Sequence, residues 1–150
     1  MSAKILNSIS GLLLCAVLLS FAPSRPGGEG FEIFINNKPV MVQFGKDMDK
    51  VQTLKLDAYK PNDEVTIRYH HCGKVGKNRT LTLRDAKNNI LKQWKFDDVK
   101  QASASMSFKV KEIFALQKDG SMSVRLYYSS SELPGGRQLA ALVSSKSPTS

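Results

Sequence analysis

Apolar residues recur at every second position along most of this chain, and no segment sustains a helical period. Side chains of an extended segment alternate between two faces, so this pattern commits the chain to half-buried strands. FEIFIN (31–36) and KPVMVQF (38–44) alternate on either side of Asn36-Asn37, a pair that accepts positive φ and suits a tight hairpin. VQTLKLDAY (51–59) sets Leu54, Leu56 and Ala58 against Lys55 and Asp57. Turn residues in KPND (60–63) and DAKNN (85–89) punctuate EVTIRYHH (64–71), RTLTLRD (79–85) and ILKQWKF (90–96). SASMSFKVKEIFALQ (103–117) and SMSVRLYYSS (121–130) flank Lys118-Asp119-Gly120-Ser121, which reads as a second hairpin turn.

About eight short strands at this spacing predict an all-β fold. The expected architecture is a single immunoglobulin-like β-sandwich of about 7–9 antiparallel strands over residues 31–133, behind an N-terminal signal segment. The resemblance to immunoglobulin domains is one of architecture only, since their paired cysteines are missing. The alternating apolar residues form the expected inward set, including Val40, Val42 and Phe44 on the second strand and Ile90, Trp94 and Phe96 on the sixth. A β-bulge near Glu112-Ile113 would keep Ile113 inward where the alternation slips. GKDMDK (45–50) and Asp97 to Ala104 each admit one turn of helix. From Leu133 onward the composition shifts to PGGRQLAALVSSKSPTS, so residues 134–150 read as a Ser/Gly/Pro-rich tail, with RQLAALV as a potential last edge strand.

The first 24 residues read as an export leader. Lys4 supplies the positive end, Gly11 to Ala22 the apolar run, and Ser20, Ala22 and Ser24 the small residues. Cleavage after Ser24 places Ala22 three positions before the cut and leaves a Pro/Gly-rich linker over 25–30. Lipidation of Cys15 is rejected, because Leu14 precedes it and a further apolar run follows. An uncleaved anchor would have to use Ile5 to Ala22, which contains Asn7, Ser8 and Ser10 and is barely long enough to span. No transmembrane span is then expected in the mature form. The expected destination is the periplasm, the cell surface or the extracellular space. Loss of the leader leaves Cys72 as the sole thiol, so no internal disulfide is available and an apolar core must hold the domain.

Both histidines adjoin that thiol in YHHCGKVGKNR (69–79). Strand alternation sends His71 with Val65, Ile67 and Tyr69 toward the core margin, and His70 with Cys72 to the other face. Neighbouring imidazoles therefore diverge, and the chain has no third histidine to complete a zinc site. Cys72 beside His70, with Lys74 and Lys77 near, satisfies one condition for thiolate chemistry. No further catalytic group accompanies it, so a thiol or metal enzyme centred on His70 and Cys72 ranks as an alternative. No cofactor motif is present, and no metal is expected. Asp47 and Asp49 lack the remaining oxygen donors of a calcium loop. The glycines of CGKVGKNRT (72–80) stand three apart and lead into a strand, unlike a P-loop. What remains is a cationic loop in which Lys74, Lys77 and Arg79 are the candidate ligand-binding residues.

The formal net charge is +9, which favours anionic partners without selecting one. Lys55, Arg68, Arg84, Lys95, Lys109, Lys111 and Arg125 fall mostly on outward strand positions, and several on one sheet would make a cationic face. Lysines there also protect strand edges from aggregation. Trp94 with Tyr127 could offer a stacking platform, although a lone tryptophan more often belongs to the core. Thin aromatic interleaving argues against nucleic acid. The sequence thus points to an exported, non-enzymatic binding or accessory protein of the envelope or extracellular space. Its expected partner is an anionic glycan, a lipid headgroup or an envelope protein. A structural subunit that assembles by strand pairing is the remaining alternative.

Overall fold

The computed structural model of the chain describes residues 28–118 and 120–145. The leader assigned to residues 1–24, residues 25–27 of the linker, Asp119 and residues 146–150 lie outside the described residues. The strands are β1 (Gly30–Ile35), β2 (Lys38–Phe44), β3 (Gln52–Lys55), β4 (Glu64–His70), β5 (Arg79–Arg84), β6 (Ile90–Phe96), β7 (Met106–Lys109), β8 (Met122–Ser130) and β9 (Leu133–Ser144). A 3-10 turn (Gly45–Asp49) follows β2, and a single α-helical turn, α1 (Val110–Phe114), follows β7.

These elements make an all-β sandwich. One sheet runs β2-β1-β4-β7 and the other β3-β9-β8-β5-β6. Phe31, Ile33, Ile67, Leu81, Leu83 and Leu126 lie fully buried between them. Two aromatic stacks join the layers, Tyr69 on Tyr128 at 4.1 Å and Trp94 on Phe108 at 4.2 Å between ring centroids. Asn36 (φ 50°) and Asn37 (φ 64°) make the expected tight turn between β1 and β2. Every strand pair is antiparallel except β3 with β9, which is parallel.

Several expectations are corrected. In β2 the register shifts opposite Ile33 and Phe34, so the strand carries an extra residue at Val40. Met41 and Gln43 consequently point inward, while Val42 is 52% exposed. Phe44 instead covers Gly30 on the outer face, where a Cβ on Gly30 would collide with the ring. A second shift at Leu83/Arg84 turns Ile90 outward, at 55% exposure. Neither shift leaves a mark in the hydrophobic pattern, because Val and Ile occupy both faces.

At the predicted bulge stands α1, whose i,i+3 spacing puts Val110 and Ile113 on its buried side. The hairpin expected around 118–121 is corrected too: β7 lies in one sheet and β8 in the other, so the two strands are not partners.

The expected tail is largely strand. β9 spans 12 residues between β3 and β8, with Leu139, Ala140 and Leu142 buried. Its Pro134-Gly135-Gly136 start precedes the segment paired with β3 (residues 140–143), where a missing N–H and loose backbone do least harm. The linker also ends earlier than expected. Gly30 begins β1, and the Glu29 carbonyl accepts the Gly45 N–H at 3.0 Å.

Candidate functional site

Strand β4 ends at His70, and the two imidazoles diverge there. His70 Nε2 lies 3.0 Å from Glu32 Oε2 on the outer face, with its ring against Phe44. His71 turns into the sandwich, where its Nε2 shares hydrogen bonds with the Tyr128 hydroxyl at 2.8 Å and with Ser130 Oγ at 3.3 Å. Beside it, Tyr69 donates to the Glu29 carboxylate and accepts from Arg137 Nε at 3.2 Å. Burial pulls the His71 pKa below its ordinary value, against the weaker pull of Glu132 and Glu29. Burial there disfavours the charged form of the ring.

A prediction follows from the sign of that shift. A histidine with a depressed folded pKa binds fewer protons folded than unfolded, so its contribution is complete above 6.5 and is lost as pH falls below it. Hydrogen bonds hold the carboxyls of Asp63, Asp85, Glu112 and Glu132 below the usual carboxylate range, so their contributions fade only at lower pH. Urea midpoints taken at about pH 7.5 and about pH 5 should show a decline in the wild type that His71→Gln reduces. An equal decline in both proteins would remove His71 as its source.

Cys72 does not continue the strand. It adopts φ 53° in a turn closed by the Lys74 N–H on the His71 carbonyl, and its side chain is exposed. The expected sharing of a face with His70 by strand alternation is corrected accordingly. Among the described residues, no group of three or more His, Cys, Asp or Glu side chains is placed to hold a metal ion. Asp47 and Asp49 sit exposed in the 3-10 turn, with Lys50 Nζ 3.9 Å from Asp47.

The cationic loop keeps only two of its three expected residues. Lys74 and Lys77 are exposed, but Arg79 is buried to 6% exposure as the first residue of β5. Its guanidinium donates to the carbonyls of Ala104 at 2.9 Å and Asp97 at 2.8 Å, which clamps the β6–β7 connection. The loop also folds onto the core. A Cβ on Gly76 would stand 2.8 Å from the Tyr128 hydroxyl and 3.1 Å from His71 Nε2. Two carboxylates tie it down further, Glu132 accepting from the Lys77 N–H at 2.9 Å and Asp98 from the Asn78 N–H at 2.7 Å. Positive charge at the tip is thus partly offset.

Charge gathers instead on the outer face of the five-stranded sheet. Lys55 of β3, Arg125 of β8, Arg84 of β5 and Lys95 of β6 alternate with inward residues such as Leu54, Leu126, Leu83 and Trp94. No aspartate or glutamate occurs in β3, β5, β6, β8 or β9. None of these four cations is in an ion pair among the described residues. The other sheet contrasts with this. Its outer cations are interleaved with acids, Lys109 pairing with Glu64 at 3.3 Å and Arg68 standing opposite Glu32. Lys111 belongs to α1.

Arg84 and Arg125 are direct cross-strand neighbours. Their guanidinium carbons lie 5.3 and 6.0 Å from the centroid of the Tyr127 ring, whose hydroxyl donates to Gln138 at 3.2 Å. Arg125 Nη2 donates to the Asp85 carbonyl at 2.7 Å, and Arg84 Nη1 to that of Asn88 at 3.4 Å. Nε of each arginine has no hydrogen-bond partner. Asp85 directs its carboxylate to the main-chain and side-chain nitrogens of Asn89 instead, at 2.8 and 2.9 Å.

Trp94 takes no part in this face. It points inward, and its Nε1 donates to Glu112 at 3.0 Å, so it shares no stacking platform with Tyr127. The sequence marked these four among its outward cations, but which of them share a sheet was not legible there, because their strands lie far apart in the chain. Compared with known proteins, the chain matches no protein-family model and no curated protein sequence.

Proposed function

We propose that this protein is an exported, non-enzymatic binding or accessory domain of the cell envelope or extracellular space, which engages an anionic partner through the outer face of its five-stranded sheet. The observation that carries this reading is the four strand-borne cations unaccompanied by any acid on the same five strands. Like charges on adjacent strands repel and weaken a sheet, so an anion laid across them gains energy that the free protein lacks. Export rests on the leader composition at residues 1–24. The immunoglobulin-like reading is supported by connectivity: β4 beside β7 in one layer, and β5, β8 and β9 adjacent in the other with β3 parallel to β9. The loop lysines Lys74 and Lys77 take a secondary place.

Two variants that each remove two positive charges test the face against net charge. Lys55→Gln/Lys95→Gln alters the sheet, and Lys74→Ala/Lys77→Ala alters the loop. Elution from an anionic matrix in a salt gradient should move to clearly lower salt for the first and only slightly for the second. Equal shifts would mean that the matrix senses total charge, and the face would lose its role.

A further inference from the structure

We infer that the partner of this face is an anionic polysaccharide, whose carboxylate or sulfate groups are received by the Arg84–Arg125 pair. This rests on the binding-domain reading above and adds a ligand class to it. Three features select a polysaccharide. The first is the arginine pair. Two guanidiniums on adjacent strands, held beside Tyr127 and anchored only through main-chain carbonyls, bury their Nε atoms and leave their terminal Nη forks free of any carboxylate. Planar forks of that kind match carboxylate and sulfate oxygens two at a time.

The second is the setting. Thr80, Gln93, Gln138 and Ser129 occupy outward, at least partly exposed positions around the cations, and their hydroxyls and amides suit a ligand rich in hydroxyl groups. The third is reach. Lys55 and Lys95 stand on the two edge strands, four strand spacings or roughly 19 Å apart across the sheet, and the register offsets them along it as well, from the level of Ser123 to that of Ser129 on β8. A long flat chain meets all four cations, whereas a small anion meets one or two.

An anionic membrane fits less well. Of the five exposed large apolar residues, Ile90 and its neighbour Leu91 lie on edge strand β6, but Val42 belongs to the opposite sheet and Val51 and Val99 to loops. They form no common surface that could enter a bilayer. Single-stranded nucleic acid would need open aromatic rings, and the one outward aromatic here has guanidiniums over it.

The test measures binding of the full chain to polygalacturonate, dextran sulfate, unmodified dextran and phosphatidylglycerol-containing vesicles by titration calorimetry at fixed salt. The expected result is binding to one or both charged polymers and none to dextran; the carboxylated and sulfated arms identify the group recognised. Arg84→Gln/Arg125→Gln should lower affinity about tenfold or more. Arg84→Lys/Arg125→Lys keeps the charge but loses the fork, and should still cost several-fold. Since Arg125 braces the 85–89 turn at 2.7 Å and Arg84 touches it only at 3.4 Å, thermal melts accompany each variant, and Arg84→Gln alone should show a smaller loss of affinity with a smaller change in melting temperature.

A lysine pair that binds like wild type overturns the inference, as does tighter binding to vesicles than to either polymer. Face-dependent retention on the anionic matrix without polysaccharide binding removes this inference and leaves the binding-domain reading standing. No retention at all removes both.

Discussion

A chain that ends at Glu132 is expected not to fold. β9 lies between β3 and β8, so its loss leaves β3 without a partner and opens the edge of β8. It also removes Leu139, Ala140 and Leu142 from the core. Each buried leucine alone is worth about 2–5 kcal/mol by comparison with large-to-small core substitutions. A domain of this size has only about 5–15 kcal/mol in total. Far-UV circular dichroism and urea titration of the 1–132 chain should show no cooperative transition, while a peptide of residues 133–145 supplied in trans should restore part of the native signal. A cooperative melt of the shortened chain on its own would mean that β9 is dispensable, as a tail would be.

Arg79→Ala should be the most damaging change in the cationic loop segment. Lys74→Ala and Lys77→Ala should stay within about 0.5 kcal/mol of wild type, as exposed substitutions usually do. Arg79 makes two charge-assisted hydrogen bonds from a nearly buried position to Asp97 and Ala104, on the connection that carries the chain from one sheet to the other. Charged hydrogen bonds are worth about 1.5–3 kcal/mol each, and the partly exposed carbonyls recover some of that from water, so a net loss of about 2–3 kcal/mol is expected. For a domain near this size, that lowers the melting temperature by roughly 10 °C. Arg79→Lys should recover only part, since a single ammonium cannot replace the fork spanning both carbonyls. A melting temperature for Arg79→Ala unchanged within about 2 °C would show that the clamp carries no stability.

The same residue shows where a sequence-based reading of the site goes wrong. In CGKVGKNRT the three cations look equivalent, because composition records charge and position but not depth. Depth is set by β5 entering its sheet at Arg79, which brings the Asp97 and Ala104 carbonyls to the guanidinium. Cys72 fails in a related way. Alternation holds through His71, but Cys72 takes a positive φ in the turn before Gly73, and its side chain leaves the strand's two-sided pattern. The hairpin at Asn36-Asn37 needed no such context. Adjacent residues that tolerate positive φ specify that turn locally.

What the sequence by itself determined is the β character of the domain, most of its inward-facing residues and the divergence of His70 from His71. All of these follow from the two-residue repeat of an extended backbone, which is a local property. Only the tertiary structure decided that Val42 and Ile90 face outward, that residues 133–144 form an inner strand, and that Lys55, Arg84, Lys95 and Arg125 meet on one surface. Bulges, sheet membership and strand order depend on which distant segments pair. That choice is made by the burial of the whole core, so no stretch of the chain read alone contains it.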